Sequence, residues 1–362
     1  MKTIVFRADA SPQIGSGHVM RCLVLAEQFI QQGCRVIFIC NQLPQVLYDK
    51  LISLSIDVID LSCLGPIETN PLEQEHRTQD RDAILTIEAL DQIGERPYAL
   101  IVDHYERDEK WELVIKLHVD ILVVIDDLAN RKHDCDILLD QNYVINMSTR
   151  YKKLVPSTCQ LFLGPSFALL RDDFIQQSYH VRKGVRRALI TFGGSDPTGE
   201  TMKLLHLIEL GRLPKWEYDI VVGGLYTNKK EIRERCQFIS NVNYYENVQN
   251  MSERMILADI CIGSSGISQW ERSTLGLPTI LIVVANNQSD SAYALEKDRL
   301  AWNLGWHEDV QEEQLVELLW ELDRNPQQIE YMSKRIISMM NGCESKSDSE
   351  VIHPLVRAVM GG

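Results

Sequence analysis

Twice along this chain, continuous apolar runs of about five residues alternate with longer segments of helical period, and no other feature limits the fold as strongly. Residues 3–7, 35–40, 56–61, 99–103 and 121–126 read as strands, with helices at 18–32, 43–54, 81–93 and 108–118 between them. Strands apolar on both faces, separated by helices, imply a parallel sheet covered on both sides. The rhythm stops over 141–186, which holds Pro156, Gly164, Pro165, Gly184 and the basic run from Arg182 to Arg187. It restarts with strands at 187–192, 218–223, 259–262 and 279–284 and helices at 199–210, 228–237, 266–276 and 289–298; helical patterns fill most of 311–360. The polar stretch 64–80 reads as an exposed loop.

These patterns predict an α/β chain of two Rossmann-like domains, residues 1–150 and 187–362, joined by a crossing over 151–186. Their parallel sheets are expected to face a central cleft, with ligands beyond the carboxyl ends of the strands. A chain of 362 residues has room for two such cores. The formal net charge of -14 argues against a nucleic-acid partner, although an acidic protein can still hold a locally positive cleft for a small anion. Nine cysteines, none in a C-x-x-C pair, point to reduced thiols; Cys22, Cys34 and Cys40 lie in periodic apolar segments and read as small buried hydrophobes. The first apolar run is too short for a signal peptide, and no later run reaches membrane-spanning length. A cytoplasmic monomer that needs neither membrane, metal nor cofactor is expected.

Five short segments carry the polar groups that chemistry needs. Gly15-Ser16-Gly17-His18 follows the first strand and opens a helix. Glycines there admit a ligand close to the backbone, and the helix start offers unpaired N–H groups to a diphosphate. The same partial charge disfavours protonation of His18, leaving it able to accept a proton. The plainer reading, a glycine turn with a capping histidine, is equally consistent with the spacing. Gly193-Gly194-Ser195-Asp196 occupies the mirrored place in the second half and suits ligand contact through Gly194 and Ser195, or a tight turn capped by Ser195 or Asp196. Gly263-Ser264-Ser265-Gly266 again joins a strand to a helix, with amides suited to phosphate. Glu271, further along that helix, can accept two hydrogen bonds from a ribose diol, or be a solvated charge paired with a neighbouring Arg272 or lysine. Asp103-His104-Tyr105 and Asn286-Asn287-Gln288 sit where strands end and are expected to face the cleft; the Asn and Gln amides suit acetamido groups or hydroxyls, and both segments could equally be loop side chains that satisfy local backbone.

Other combinations carry less. Asp126-Asp127 and Asp172-Asp173 are adjacent, and neighbouring side chains point apart. The remaining histidines lack metal-ligand spacing, no Walker loop or G-x-S-x-G occurs, and Trp111, Trp216, Trp302 and Trp306 read as core or packing residues.

Taken in order, Arg7 to Ala10, Ile14 to Cys22, Val102 to Tyr105, Ile125 to Asp127, His133 to Asp136, Asp140 to Tyr143, Gly164 to Arg171, Phe192 to Asp196, Trp270 to Arg272, Leu275 to Pro278 and Asn287-Gln288 resemble the PseG family of UDP-sugar hydrolases in pseudaminic acid biosynthesis. The resemblance spans nearly the whole chain. It implies a GT-B-like fold and metal-independent hydrolysis of a UDP-diacetamido-trideoxy-altropyranose. It places His18 on the family's catalytic histidine, Tyr105 on a substrate contact and Glu271 on the uridine ribose. Ser264 and Ser265 fall in its diphosphate region, and Asn287 in a sugar-side loop. Water is a poor nucleophile and UDP a good leaving group, so a base is needed more than an acid, and His18 is expected to serve. A glycosyltransferase of the same fold, a non-catalytic nucleotide-sugar binder and a hydrolysing epimerase are the alternatives.

Overall fold

The computed structural model describes residues 1–11, 14–64, 74–342 and 352–361. The chain divides into two compact units. The first holds residues 1–142 and 146–169 together with a C-terminal helix, Pro354–Met360; the second runs from Leu170.

In the first unit the elements in order are β1 (Thr3–Ala8), α1 (Gly17–Gln31), β2 (Arg35–Cys40), α2 (Gln45–Ser53), β3 (Asp57–Asp60), α3 (Gln74–Gln92), β4 (Ala99–Asp103), α4 (Glu109–Ile115), β5 (Ile121–Ile125), β6 (Ile137–Asp140) and β7 (Gln160–Leu163). The seven strands form one parallel sheet in the order β3-β2-β1-β4-β5-β6-β7. The chain winds outward from β1 to β3 and then returns to place β4 beside β1, with Ala8 opposite Asp103. Such a reversal opens a crevice at the carboxyl ends of the two central strands. Helix α1 follows β1 and is buried round most of its circumference, through Val19, Cys22, Leu23, Leu25, Ala26 and Phe29. Its cover on one side is the C-terminal helix, whose Leu355, Val356 and Val359 join the same core, and His353 ties the two by donating its N–H to Gln28 Oε1 at 2.7 Å.

The second unit contains α5 (Asp172–Ile175), β8 (Arg187–Thr191), α6 (Glu200–Glu209), β9 (Glu217–Val222), α7 (Lys229–Cys236), β10 (Val242–Glu246), α8 (Met251–Leu257), β11 (Ile260–Gly263), α9 (Ser268–Thr274), β12 (Thr279–Val283), α10 (Ser289–Lys297), β13 (Trp302–Trp306), α11 (Glu312–Arg324) and α12 (Pro326–Gly342). Its parallel sheet runs β10-β9-β8-β11-β12-β13, with the same reversal between β8 and β11. Two glycines are demanded by backbone proximity. A Cβ on Gly223, just past β9, would lie 2.4 Å from the Gly194 Cα, and one on Gly263 would lie 2.4 Å from the Thr191 carbonyl oxygen.

Several expectations need correction. The stretch expected as a crossing from 151 contains β7, which pairs with β6, so residues 146–169 complete the first sheet. Both strands are only four residues long and flanked by polar residues, which hides them from a periodicity reading. The C-terminal helix packs on the first unit, not the second, because its apolar face fits α1. Residues 74–80, expected in a loop, begin α3; they are polar, so no apolar stripe marks them, while 65–73 of that loop and 343–351 of the helical tail lie outside the described residues. Strands β10 and β13 and helix α8 were not anticipated. Cys22, Cys34 and Cys40 are free and buried, as are the rings of Trp111 and Trp216. Among the described residues no helix is long and apolar enough to cross a membrane.

Candidate functional site

The reversal in the first sheet brings the start of α1 against the end of β4. Residue 18 lies at the second position of α1; among the described residues Ser16 makes no side-chain cap, and the Gly15 amide donates to the Ser11 carbonyl at 2.7 Å. The positive φ of Gly15 (82°) turns the chain into the helix. His18 is buried, and its Nδ1 lies 2.5 Å from Asp103 Oδ1. Asp103 is also gripped by Arg21, whose Nε donates to Oδ2 at 2.5 Å and whose Nη2 donates to Oδ1 at 2.6 Å. Burial works against the Asp103 charge, yet the guanidinium of Arg21 and the imidazole of His18 outweigh it and hold the carboxyl well below the ordinary range. An ionised carboxylate only accepts, so the His18 Nδ1 carries a hydrogen and donates it to Asp103. In the neutral ring the lone pair is then on Nε2.

Tyr105, two residues past β4, meets His18 edge-on with ring centroids 4.6 Å apart. Its hydroxyl donates to Asp127 Oδ2 at 3.1 Å, and Arg21 Nη1 donates to the same oxygen at 2.9 Å. Burial and the Asp127 carboxylate both push the Tyr105 phenol up, so it stays protonated. Asp126 points the other way, as adjacent side chains should, into Arg131 and the Tyr151 hydroxyl. His104 sits apart from His18, with Nε2 3.3 Å from Asp9.

In the second unit the turns after β8 and β11 are neighbours, since Gly263 pairs with Thr191. Asp196 caps α6, accepting from the amides of Glu200 at 3.1 Å and Thr201 at 2.9 Å, so the capping reading holds for that residue, while Gly194 and Ser195 remain half-exposed beside it. Ser264 and Ser265 are buried, and the Ser265 hydroxyl has no hydrogen-bond partner among the described residues. Beneath that turn the fully buried Arg272 donates to the Ser264 carbonyl at 2.5 Å and to Gln269 at 2.9 Å. Glu271 is neither solvated nor paired with Arg272: it is 6% exposed and accepts from Arg171 Nε at 2.8 Å. Asn287 lies half-buried in a short 3-10 turn before α10, where Gln288 accepts from the Val284 amide at 3.2 Å.

Thus His18 and Tyr105 meet in the first unit, near the Gly15–Gly17 turn that opens α1; in the second, Gly194, Ser195, Ser264 and Ser265 lie in the turns after β8 and β11, Glu271 in α9 and Asn287 in the turn after β12. The sequence reading does not pair Asp103 with His18, and it gives no role to Arg21, Asp127 or Arg171. Arg21 was findable, being three residues from His18 and so on the same helix face. Asp127 is set aside with Asp126 in the sequence because adjacent side chains point apart; its role comes only from the distant Arg21 and nearby Tyr105 that the fold brings to it.

Comparison with known proteins adds the following. The glycosyltransferase family 28 C-terminal domain matches residues 212–347. The UDP-2,4-diacetamido-2,4,6-trideoxy-beta-L-altropyranose hydrolase of Campylobacter jejuni is 28% identical over 81% of this chain and 96% of its own length. The spore coat polysaccharide biosynthesis protein SpsG of Bacillus subtilis is 24% identical over 85% of each chain. The crystal structure of MurG from Acinetobacter baumannii superposes with a TM-score of 0.64, covering all of both chains at 14% identity. That likeness shows the fold, which is that of GT-B glycosyltransferases.

Proposed function

We propose that this chain hydrolyses UDP-2,4-diacetamido-2,4,6-trideoxy-beta-L-altropyranose to the free sugar and UDP, the activity carried in the name of its Campylobacter jejuni relative. The observation that carries the proposal is the His18–Asp103 pair, with Nδ1 committed to the carboxylate. His18 Nε2 takes a proton from water, and the water oxygen bonds to the anomeric carbon. The bond from that carbon to the UDP oxygen breaks, its electron pair leaving with UDP, and the configuration inverts. Tyr105 contacts the sugar. In the second unit the Ser264–Gly266 turn and the Gly194-Ser195 turn receive the diphosphate, Glu271 holds the ribose and Asn287 contacts the sugar. Amides and hydroxyls offset the charge on the leaving diphosphate, so no metal is required.

The match to a glycosyltransferase domain keeps transfer to an acceptor as the second reading. Acceptor-free turnover in oxygen-18 water separates the two. Hydrolysis at carbon puts label in the released sugar and none in UDP, with the opposite anomer seen by NMR before mutarotation. Label in the terminal phosphate of UDP would overturn attack at carbon, and negligible turnover without an acceptor would favour a transferase.

A further inference from the structure

His18, Asp103, Arg21, Asp127 and Tyr105 close a ring of contacts, and Arg21 is its one member that touches both carboxylates. Nε and Nη2 reach the two oxygens of Asp103, and Nη1 reaches Asp127 Oδ2, which also receives the Tyr105 hydroxyl. Tyr105 in turn packs edge-on against His18. The guanidinium is 3% exposed, so water does not compete for these bonds. Its place is fixed by α1, on which it follows His18 by one turn, while the carboxylates come from the ends of two different strands.

We propose that Arg21 is the positioning residue of the reaction: one planar fork fixes the carboxylate that orients His18 and, through Asp127, the hydroxyl of Tyr105. This rests on His18 being the base. A guanidinium suits the task because three of its nitrogens point in fixed directions in one plane, whereas a lysine ammonium is a single point that cannot span two carboxylates in this geometry. The charges suit it as well. With His18 neutral the ring carries one positive and two negative side chains, so a proton taken from water brings it to balance. Arg21 touches neither water nor sugar in this scheme; it acts through Asp103 and Asp127.

The test compares Arg21→Lys with wild type and with His18→Asn. A hydrogen on Nδ1 facing a carboxylate gives a far-downfield proton resonance, identified by its loss in His18→Asn. Arg21→Lys should keep the UDP affinity of the wild type, lose or shift that resonance, and lower kcat by about 10²-fold, the cost of a misplaced reacting group. Wild-type kcat in Arg21→Lys, or a fall in kcat with the resonance unmoved, would overturn the inference while an inactive His18→Asn left the base reading standing. Normal turnover in His18→Asn would remove both. Should Arg21→Lys fail to fold, Asp127→Asn leaves the Asp103 carboxylate in place and weakens the arm that runs from Arg21 through Asp127 to Tyr105. Its loss of kcat should match that of Tyr105→Phe and not add to it in the double variant; additive losses would overturn the shared path.

Discussion

Replacing Asp103 by asparagine is the sharpest probe of the proposed base. The carboxylate has two oxygens and four donors to serve: Oδ1 accepts from His18 Nδ1 and Arg21 Nη2, and Oδ2 accepts from Arg21 Nε and, more weakly, from the Cys22 thiol at 3.7 Å. An asparagine has one acceptor oxygen and one NH₂. If the oxygen stays opposite His18, the NH₂ collides with the Nε donor of Arg21. If it turns to Arg21 Nε, the NH₂ faces His18, which must then accept at Nδ1 and carry its hydrogen on Nε2. The tautomer is then wrong for a base at Nε2. Loss of the orienting carboxylate in a Ser-His-Asp triad costs about 10⁴-fold, and general-base catalysis as a whole is worth about 10²–10⁴-fold. A fall in kcat within that range is expected, equal to about 2.7–5.5 kcal/mol of barrier. Because a buried charge pair is broken, stability should also drop by roughly 3–5 kcal/mol, so rates must be referred to folded protein measured by UDP binding. The double variant with His18→Asn should be no slower than the slower single one, since the two residues act as a unit. A kcat within about threefold of wild type, below any general-base contribution, would refute the argument that Asp103 sets the His18 tautomer.

Three further outcomes are expected. Glu271→Ala should weaken UDP binding in calorimetry by roughly 1.5–3 kcal/mol, and UDP should bind the wild type better than 2′-deoxy-UDP; equal affinity for both nucleotides would remove the ribose role. Thermal stability should decline from pH 6 to 9, for two reasons of the same sign. Burial raises the Asp140 carboxyl from 3.8 to about 7, so its contribution is full below 3.8 and gone above about 7; the Asp126 and Glu112 carboxylates outweigh burial and raise His133 from 6.5 to about 9, so its contribution is full below 6.5 and lost through about 9. Asp140→Asn should flatten the first part of the decline in a melting series, and an unchanged slope would contradict the assignment. Gly223→Ala should destabilise by about 1–3 kcal/mol in urea titration, because its Cβ meets the Gly194 backbone at 2.4 Å; wild-type stability would show that the turn gives way freely.

Much of this protein is written locally. The strands β1, β2, β4 and β5 are built on apolar runs of three to five residues, and α1 repeats its apolar residues at helical spacing; nearest neighbours in sequence determine both. The glycine turns before α1, α6 and α9 are local too, so His18, Ser195 and Ser265 could be singled out by position alone. Tertiary structure alone decided the partners. Asp103 is 85 residues from His18 and Asp127 is 106 from Arg21, and both pairings exist because the sheet order sets β4 beside β1 and β5 beside β4. Glu271 and Arg171 are 100 residues apart, and the C-terminal helix finds α1 across more than 300. Local patterning can state that a residue is buried or capping, but which charge faces it depends on strand order, and strand order follows from how the whole chain minimises exposed apolar surface.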